Sequence, residues 1–159
     1  MRKMRSITAT PSIVDALERI VFAGVALTTR ALSEARADLD LTLTQWRVLV
    51  VLGESQDGVT ISQVAGRIGV TLPATSRQLR RLERRGLVDV SRDQRDRRAT
   101  RVGLTRLGRS ARDDVISFRR RMITQIAASL ELDPAMATQL AQIADALEQP
   151  GGLGLTRPR

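Results

Sequence analysis

The sequence predicts a mainly α-helical fold with one small β-hairpin, and three observations support this prediction. Apolar residues recur at helical spacing over most of residues 12–148. Two helical patterns meet at Gly69, a residue suited to a sharp turn. Two short β-type runs then flank a highly charged loop at residues 93–98. A helix, a turn, a second helix and a charged hairpin form, in this order, a winged helix-turn-helix domain, here placed between N- and C-terminal helices.

The N-terminal third of the chain is predicted as an arm followed by two helices. Residues 1–11 are expected to be a flexible N-terminal arm. Ser12 should cap a long helix that continues to about Ala37, with the apolar positions Ile13, Val14, Leu17, Ile20, Val21, Leu27, Ala31 and Leu32. The next helix is expected to begin near Thr44 and to run through Trp46 to Gly53, before a loop.

The central helix pair is defined by its caps. Thr60 followed by Gln63 has the spacing of a capping box, in which each side chain accepts a hydrogen bond from the other residue's amide. Apolar residues follow at helical spacing at Ile61, Val64, Ala65 and Ile68. After the turn at Gly69, Thr71 is the predicted N-cap of a second helix, which Gly86 ends.

The second helix of this pair has two contrasting sides when its residues are placed at 100° intervals. Thr75, Leu79 and Leu82 fall on the side that must pack on other helices. The opposite side carries Pro73, Arg77, Arg80 and Arg84, with Arg81 close by. We therefore expect an arginine-rich face in solvent.

Two strands and two further helices complete the prediction. Leu87, Val88 and Val90 predict one strand, and Val102 and Leu104 predict the other. A long helix should start at Thr105, with apolar positions Leu107, Ala111, Val115, Phe118, Met122, Ile126 and Leu130. Asp133 and Pro134 should start the last helix, with Met136, Leu140, Ile143 and Leu147 on one face. Residues 149–159 are expected to be a flexible C-terminal tail.

Charge is concentrated in the middle of the chain. The 159-residue protein has a formal net charge of +9, and 25 of its 26 cationic residues are arginine. Ten arginines and only four acidic residues lie from Arg77 to Arg101, so two thirds of the net charge occupies under a sixth of the chain. A GC-rich genome would explain arginine in place of lysine but not this clustering. The pattern favours a polyanionic partner.

The same region resembles the DNA-binding domain of the MarR family of bacterial transcription regulators. The matching residues are Leu82-Glu83-Arg84-Arg85-Gly86-Leu87-Val88, Asp93-x-Arg95-Asp96-x-Arg98, Val102-x-Leu104-Thr105-x-x-Gly108, and upstream Leu43-Thr44 with Trp46-Arg47-Val48-Leu49. The resemblance covers roughly residues 12–148. It implies a homodimeric DNA-binding regulator, a repressor that a small aromatic or phenolic ligand releases from a pseudo-palindromic operator.

Candidate DNA contacts follow from the helix positions and from the resemblance. Residues near the start of a recognition helix reach base edges, which makes Leu72, Pro73, Ser76 and Arg77 the candidates for base contacts. The candidates for phosphate contacts are Thr71, Arg80, Arg81 and Arg84. The resemblance implies that Asp93 orients Arg95 into a minor groove, with Arg97 and Arg98 as auxiliary contacts. The alternatives are a solvated surface, a membrane surface or an acidic protein partner.

The apolar positions of the predicted N- and C-terminal helices indicate self-association. Each Leu, Ile or Val left in water forgoes about 1.5–3 kcal/mol, and pairing two chains around a two-fold axis would recover this free energy. We therefore expect one domain at 12–148, with a DNA-binding lobe at 42–104 and dimerisation helices at 12–37 and 105–148. The alternative is that the outer helices pack only within one chain.

Composition disfavours most other functions. Cys, His and Tyr are absent, so we expect no disulfide, no metal site, no cofactor and no enzymatic activity. No apolar segment follows the basic N-terminus, which favours a cytoplasmic protein. Phe22, Trp46 and Arg47 lie in segments that would surround an effector, although Trp46 is better explained as core, and no ligand residue is assigned. A nonspecific nucleoid-type DNA-binding protein and a protein-interaction module of the same fold remain alternative functions.

Overall fold

The structure, a computed structural model, describes residues 12–55, 58–92, 100–130 and 133–148. These residues form helices and strands in the order α1 (Ile13–Ala35), a 3-10 turn (Ala37–Leu39), α2 (Leu43–Gly53), β1 (Val59–Thr60), α3 (Ile61–Ile68), α4 (Leu72–Arg84), β2 (Val88–Arg92), β3 (Thr100–Leu104), α5 (Arg106–Ala128) and α6 (Pro134–Glu148). The predicted mainly α-helical fold with a β-hairpin wing is confirmed. We call α2, α3, α4 and the three strands the head, and α1, α5 and α6 the outer helices.

Side-chain caps explain where the helices of the head begin. Thr60 and Gln63 form the predicted capping box at α3. A second box at Thr42 and Gln45 starts α2 at Leu43, one residue before the predicted position. Gly69 has a φ of 69°, in the left-handed region that glycine adopts without strain, and it ends α3.

The wing hairpin is part of a three-stranded antiparallel sheet in the order β1-β3-β2. Val88 lies opposite Leu104, and Val59 of β1 lies opposite Val102. The strand β1 is absent from the sequence prediction because two residues are too short to show alternation. Its pairing attaches the start of α3 to the hairpin.

The core of the head is built from aliphatic side chains of every element. The largest fully buried side chains include Leu49, Leu52, Ile68, Leu82 and Leu87. The start of α5 is held against this core, since the Thr105 hydroxyl donates to the Gly86 carbonyl over 2.6 Å. A Cβ atom at Gly108 would overlap the carbonyl oxygen of Leu87, so only glycine permits this approach of α5 to the strand.

The outer helices pack less completely. Helix α1 lies along α5 and is buried only near its C-terminal end, at Thr28, Ala31 and Leu32. It ends at Ala35, earlier than the predicted Ala37, because the chain turns at Arg36 into the 3-10 turn. No side chain described in α6 is buried. Within the described residues, no helix has both the length and the apolar character needed to cross a membrane.

Candidate nucleic-acid interface

The orientation of α4 is set by its buried side. Thr75, Leu79 and Leu82 are buried, as the helical phasing predicts. Thr71 occupies the N-cap, where its carbonyl accepts the first helical hydrogen bond from Thr75 over 2.9 Å, although its side chain makes no capping bond. Packing on one side therefore places the other side of α4 in solvent.

The exposed side of α4 carries four arginines in two turns. The side chains of Arg77, Arg80, Arg81 and Arg84 are exposed, and within the described residues none of them forms an ion pair. Together with Glu83 they line a shallow surface groove of about 430 Å³. The groove presents hydrogen-bond donors and net positive charge, which suits phosphate oxygens and the acceptor edge of guanine.

The N-terminal end of α4 adds smaller groups to this side. Thr71 and Pro73 are exposed, Ser76 is half-buried, and Leu72 has 47% of its surface exposed. Leu72 is the only large apolar side chain of the described head with this degree of exposure. The structure thus brings the eight candidates predicted on α4 and its cap together along one helix.

The DNA contacts predicted in the wing lie beyond the paired ends of β2 and β3. Strands β2 and β3 pair as far as Arg92 and Thr100, which lie opposite each other at the end of the hairpin. The predicted contact residues that follow lie outside the residues that the structure describes, namely Asp93, Arg95, Arg97 and Arg98. Their roles stay predictions.

A polar contact that the sequence did not predict connects α2 with α4. Gln45 of α2 is buried, and its side-chain amide donates to Oε1 of Gln78 on α4 over 3.3 Å. The guanidinium of Arg85, at the C-terminal end of α4, donates to Oε1 of Gln45 over 3.5 Å. The Thr42–Gln45 capping-box spacing was visible in the sequence, but nothing local indicates a contact between positions 45 and 78.

A second polar cluster lies where the outer helices meet the head. The guanidinium of Arg119 on α5 lies 5.0 Å from the centre of the Trp46 ring and donates to the Thr28 hydroxyl over 3.4 Å. Burial lowers the pKa of Arg119 from its ordinary value, and no carboxylate of the described residues pairs with it. Trp46 is buried core, as predicted, yet its indole N–H has no hydrogen-bond partner among the described residues.

An ion-pair cluster fixes the end of α1. Arg36 bonds to Asp38 over 2.8 Å and to Asp114 of α5 over 3.2 Å. The hydrogen bond from Arg36 lowers the pKa of the Asp38 carboxyl, and the bond to Asp38 raises the pKa of Arg36. This cluster explains why the chain turns at Arg36 and joins α1 to α5.

Comparisons with known proteins agree with this architecture. A family model described as the MarR family matches residues 39–99, which span most of the head. The solved structure of RV1404 from Mycobacterium tuberculosis is 28% identical, with a TM-score of 0.72, and covers 91% of this chain and 98% of its own. A search of curated proteins found no match.

Two other similar structures contain a bound molecule. CouR from Rhodococcus jostii RHA1 bound to p-coumaroyl-CoA is 22% identical, with a TM-score of 0.68, and covers 89% of this chain and 97% of its own, which shows a shared fold. A mutant of S. aureus MepR bound to an oligodeoxyribonucleotide is 25% identical, with a TM-score of 0.58, covering 86% of this chain and 97% of its own.

Proposed function

We propose that this chain, which belongs to the MarR family by its matched segment at residues 39–99 and by its fold, is a homodimeric, sequence-specific regulator that binds double-stranded DNA. One observation carries the proposal. Four exposed arginines lie on one face of α4, without an ion pair in the described part of the chain, on a helix whose other face is fixed by packing. The oligodeoxyribonucleotide-bound MepR mutant, which shares the fold, gives independent support.

The proposed contacts divide α4 into two parts. In its first turns, Leu72 and Pro73 would contact a thymine methyl group, Ser76 a base or phosphate, and Arg77 a guanine. Thr71, Arg80, Arg81 and Arg84 would bind phosphates, which hold the helix in register without reading sequence. This division predicts different effects of substitutions along a single helix.

The wing would contribute a minor-groove contact. In this proposal Asp93 orients Arg95 by a charge-assisted hydrogen bond, and Arg97 and Arg98 bind nearby phosphates. An arginine in the minor groove favours narrow, A·T-rich sequences because their negative potential is enhanced. Arg95→Ala should therefore reduce the preference for A·T-rich flanks in a selection from random duplexes, while an unchanged flank preference would exclude this role.

The dimer proposal rests on the apolar surface of the outer helices. Phe22 is 78% exposed, and α1 alone exposes five further large apolar side chains, at Ile13, Val14, Ile20, Val21 and Val25. Ile123 and Ile126 of α5, Leu130 just after α5, and Met136, Leu140 and Leu147 of α6 are also exposed. A second copy would cover these side chains and place two α4 helices in major grooves about one helical turn apart on a pseudo-palindrome.

The effector proposal concerns the Arg119 cluster. Among the described residues, the half-buried guanidinium of Arg119 has no carboxylate partner and the Trp46 indole N–H has no acceptor, and both favour a ligand with an anionic or carbonyl group. The Trp46 ring offers a flat apolar surface beside them. We propose that a small aromatic or phenolic anion binds here and releases DNA, provided that it binds the DNA-free arrangement more tightly.

Selection of bound duplexes from a random pool tests the DNA-binding proposal. One recovered pseudo-palindrome, protected in a footprint against random competitor, would support a specific regulator. Uniform coverage would instead support a nonspecific nucleoid-type protein. Absence of duplex binding at low salt would favour a protein-interaction module. For a repressor, transcription in vitro from a promoter that overlaps the selected site should fall as the protein, which we expect to act in the cytoplasm, is added.

Trp46 provides a direct readout of the effector proposal, because the chain has one Trp and no Tyr. A phenolic carboxylate should change the Trp46 emission at the same concentrations that release the selected duplex. Arg119→Met keeps an apolar cover over the ring and removes the charge, so it should abolish both responses. If the ligand still releases the duplex from Arg119→Met, at the same ligand concentrations as for the wild type, Arg119 is excluded from the site.

A further inference from the structure

We propose that Gln45 is a positioning residue for DNA recognition. It holds α4 at two residues, Gln78 and Arg85, and so determines the direction of the Arg77 side chain. This inference rests on the proposed DNA-binding function and goes beyond it, since Gln45 lies on α2 and contacts no DNA in the proposal. The observations that carry it are the burial of Gln45, the directions of its hydrogen bonds and the spacing of its two partners.

Every hydrogen-bonding atom of the Gln45 side chain has a partner. Its Oε1 accepts from the Thr42 amide over 3.1 Å and from Arg85 over 3.5 Å, and its Nε2 donates to Gln78 over 3.3 Å. The side chain is buried, with only 5% of the residue exposed. A buried amide whose oxygen and nitrogen both have partners is costly to disturb, because movement would leave these polar atoms unpaired.

The orientation of this amide is fixed by its partners. Rotation by 180° would place the Nε2 donors of Gln45 against two other donors, the Thr42 amide and the Arg85 guanidinium. Only the observed orientation gives Oε1 to both donors and leaves Nε2 facing Gln78. The capping box of α2 therefore determines where the hydrogen bond to α4 is made.

The two contacts on α4 are separated by two helical turns. Gln78 and Arg85 are seven positions apart, which places them on one side of the helix about 10 Å apart along its axis. One contact would leave α4 free to tilt about it, whereas two contacts at this separation restrain both tilt and rotation. The apolar contacts of Leu79 and Leu82 have no comparable directional preference.

Arg77 is adjacent to Gln78, so the rotation of α4 determines the direction of the Arg77 side chain. For a guanidinium about 9 Å from the helix axis, a rotation of about 10° moves it by roughly 1.5 Å. Bidentate recognition of a base tolerates only about 0.5 Å of displacement. A small loss of restraint should therefore weaken base recognition while leaving phosphate binding, which depends mainly on charge, nearly unchanged.

The chain offers a matched control. Gln63 has the same capping role in α3, accepting from the Thr60 amide over 2.9 Å, but it is exposed and forms no hydrogen bond with α4 in the described residues. Gln45→Met and Gln63→Met therefore remove the same capping bond. Only the former also removes the link to α4. Gln78→Met removes that link from the α4 side and leaves the α2 cap intact.

The experiment measures affinity for a selected duplex and for a scrambled duplex of equal length in the full-length protein. Gln45→Met and Gln78→Met should each lower the ratio of the two affinities about tenfold, with the scrambled-duplex affinity unchanged. The double variant should lose no more than Gln45→Met alone, since that single variant already removes the hydrogen bond to Gln78. Gln63→Met should leave the ratio at the wild-type value.

The outcomes separate this inference from the proposed function. If the wild-type protein binds the two duplexes equally, both the proposed sequence-specific function and the positioning role of Gln45 are contradicted. If it prefers the selected duplex, and Gln45→Met keeps the wild-type ratio or weakens both duplexes equally, only the positioning role is overturned. Additive losses in the double variant would show that Gln78 acts independently of Gln45. Should Gln45→Met fail to fold, the ratio measured for Gln78→Met decides the question in the same way.

Discussion

The head and the outer helices differ in which side chains they leave without a partner. In the head, large apolar side chains such as Leu49 and Leu82 are fully buried, and four arginines of α4 are exposed without an ion pair to any residue that the structure describes. In the outer helices many large apolar side chains are themselves exposed, as at Phe22 and Leu140. The difference indicates two partners of different chemistry, a polyanion for the head and an apolar surface for the outer helices. Substitutions can disrupt either surface while leaving the other intact.

The largest effect is expected from charges placed on the apolar surface of the outer helices. The double variant Phe22→Asp with Leu140→Asp should abolish self-association, because a carboxylate buried at an apolar interface is strongly unfavourable. Affinity for the selected duplex should then fall at least about 100-fold, since one head alone lacks the bivalent advantage. Light scattering and duplex titration measure the two effects.

Two exposed glutamines of the outer helices provide the control. Gln125→Asp with Gln142→Asp adds the same two charges at polar positions and should leave both the mass and the duplex affinity near wild type. An apolar-surface variant that stays associated, or that binds the duplex like this control, would show that the exposed side chains do not form the interface.

The second largest effect is expected for Arg77, in the part of α4 that is proposed to contact bases. Arg77→Ala should cost about 1–3 kcal/mol per half-site on the selected duplex and relax the preference at one base pair, with little change on random DNA. Arg120→Ala, which removes an exposed arginine of α5, is the charge-matched control. Competition titrations with single-base variants of the duplex would detect the relaxed position. Equal losses on all sequences would place Arg77 on the phosphates.

A smaller and sequence-independent effect is expected at the other end of the same face. Arg84→Ala should weaken binding to all duplexes alike, because phosphate contacts carry no sequence information. The slope of log affinity against log salt should fall by about one for each arginine removed from the contact. Titrations at four or more salt concentrations would measure the slope. If Arg84→Ala changes the preference at one base pair and leaves the salt slope unchanged, Arg84 contacts a base and not a phosphate.

The smallest effect concerns the ion-pair cluster of Arg36, which joins the end of α1 to α5. Because Arg36 lowers the pKa of Asp38, the ion pair stabilises the fold above the ordinary Asp range, and this stability is lost as pH falls through the lowered pKa. Asp38→Asn should therefore slightly lower Tm at neutral pH, and the difference from wild type should vanish in acid. Asp145→Asn, at an exposed carboxylate of α6 that forms no ion pair with the described residues, is the control and should leave Tm at neutral pH near the wild-type value. A difference that persists in acid would exclude the ion pair as its cause.

Local signals explain what the sequence could predict. The helix starts at Thr60 and Thr105 follow from caps that involve neighbouring residues, and the buried side of α4 follows from its periodicity. The strand β1 and the contact between Gln45 and Gln78 were missed, because they depend on partners far away in the chain. The contact of Arg119 with Trp46 and Thr28 was also beyond prediction, since only the fold decides which groups surround this guanidinium.

The central claim is that two copies, joined by their outer helices, present two arginine faces to a single duplex. The most direct test is the solution mass of the free protein and of its complex with the selected duplex. The account predicts twice the 17.5 kDa of one chain in the free protein, and two chains per duplex in the complex. A free mass of one chain, or one chain per duplex at saturation, would contradict it.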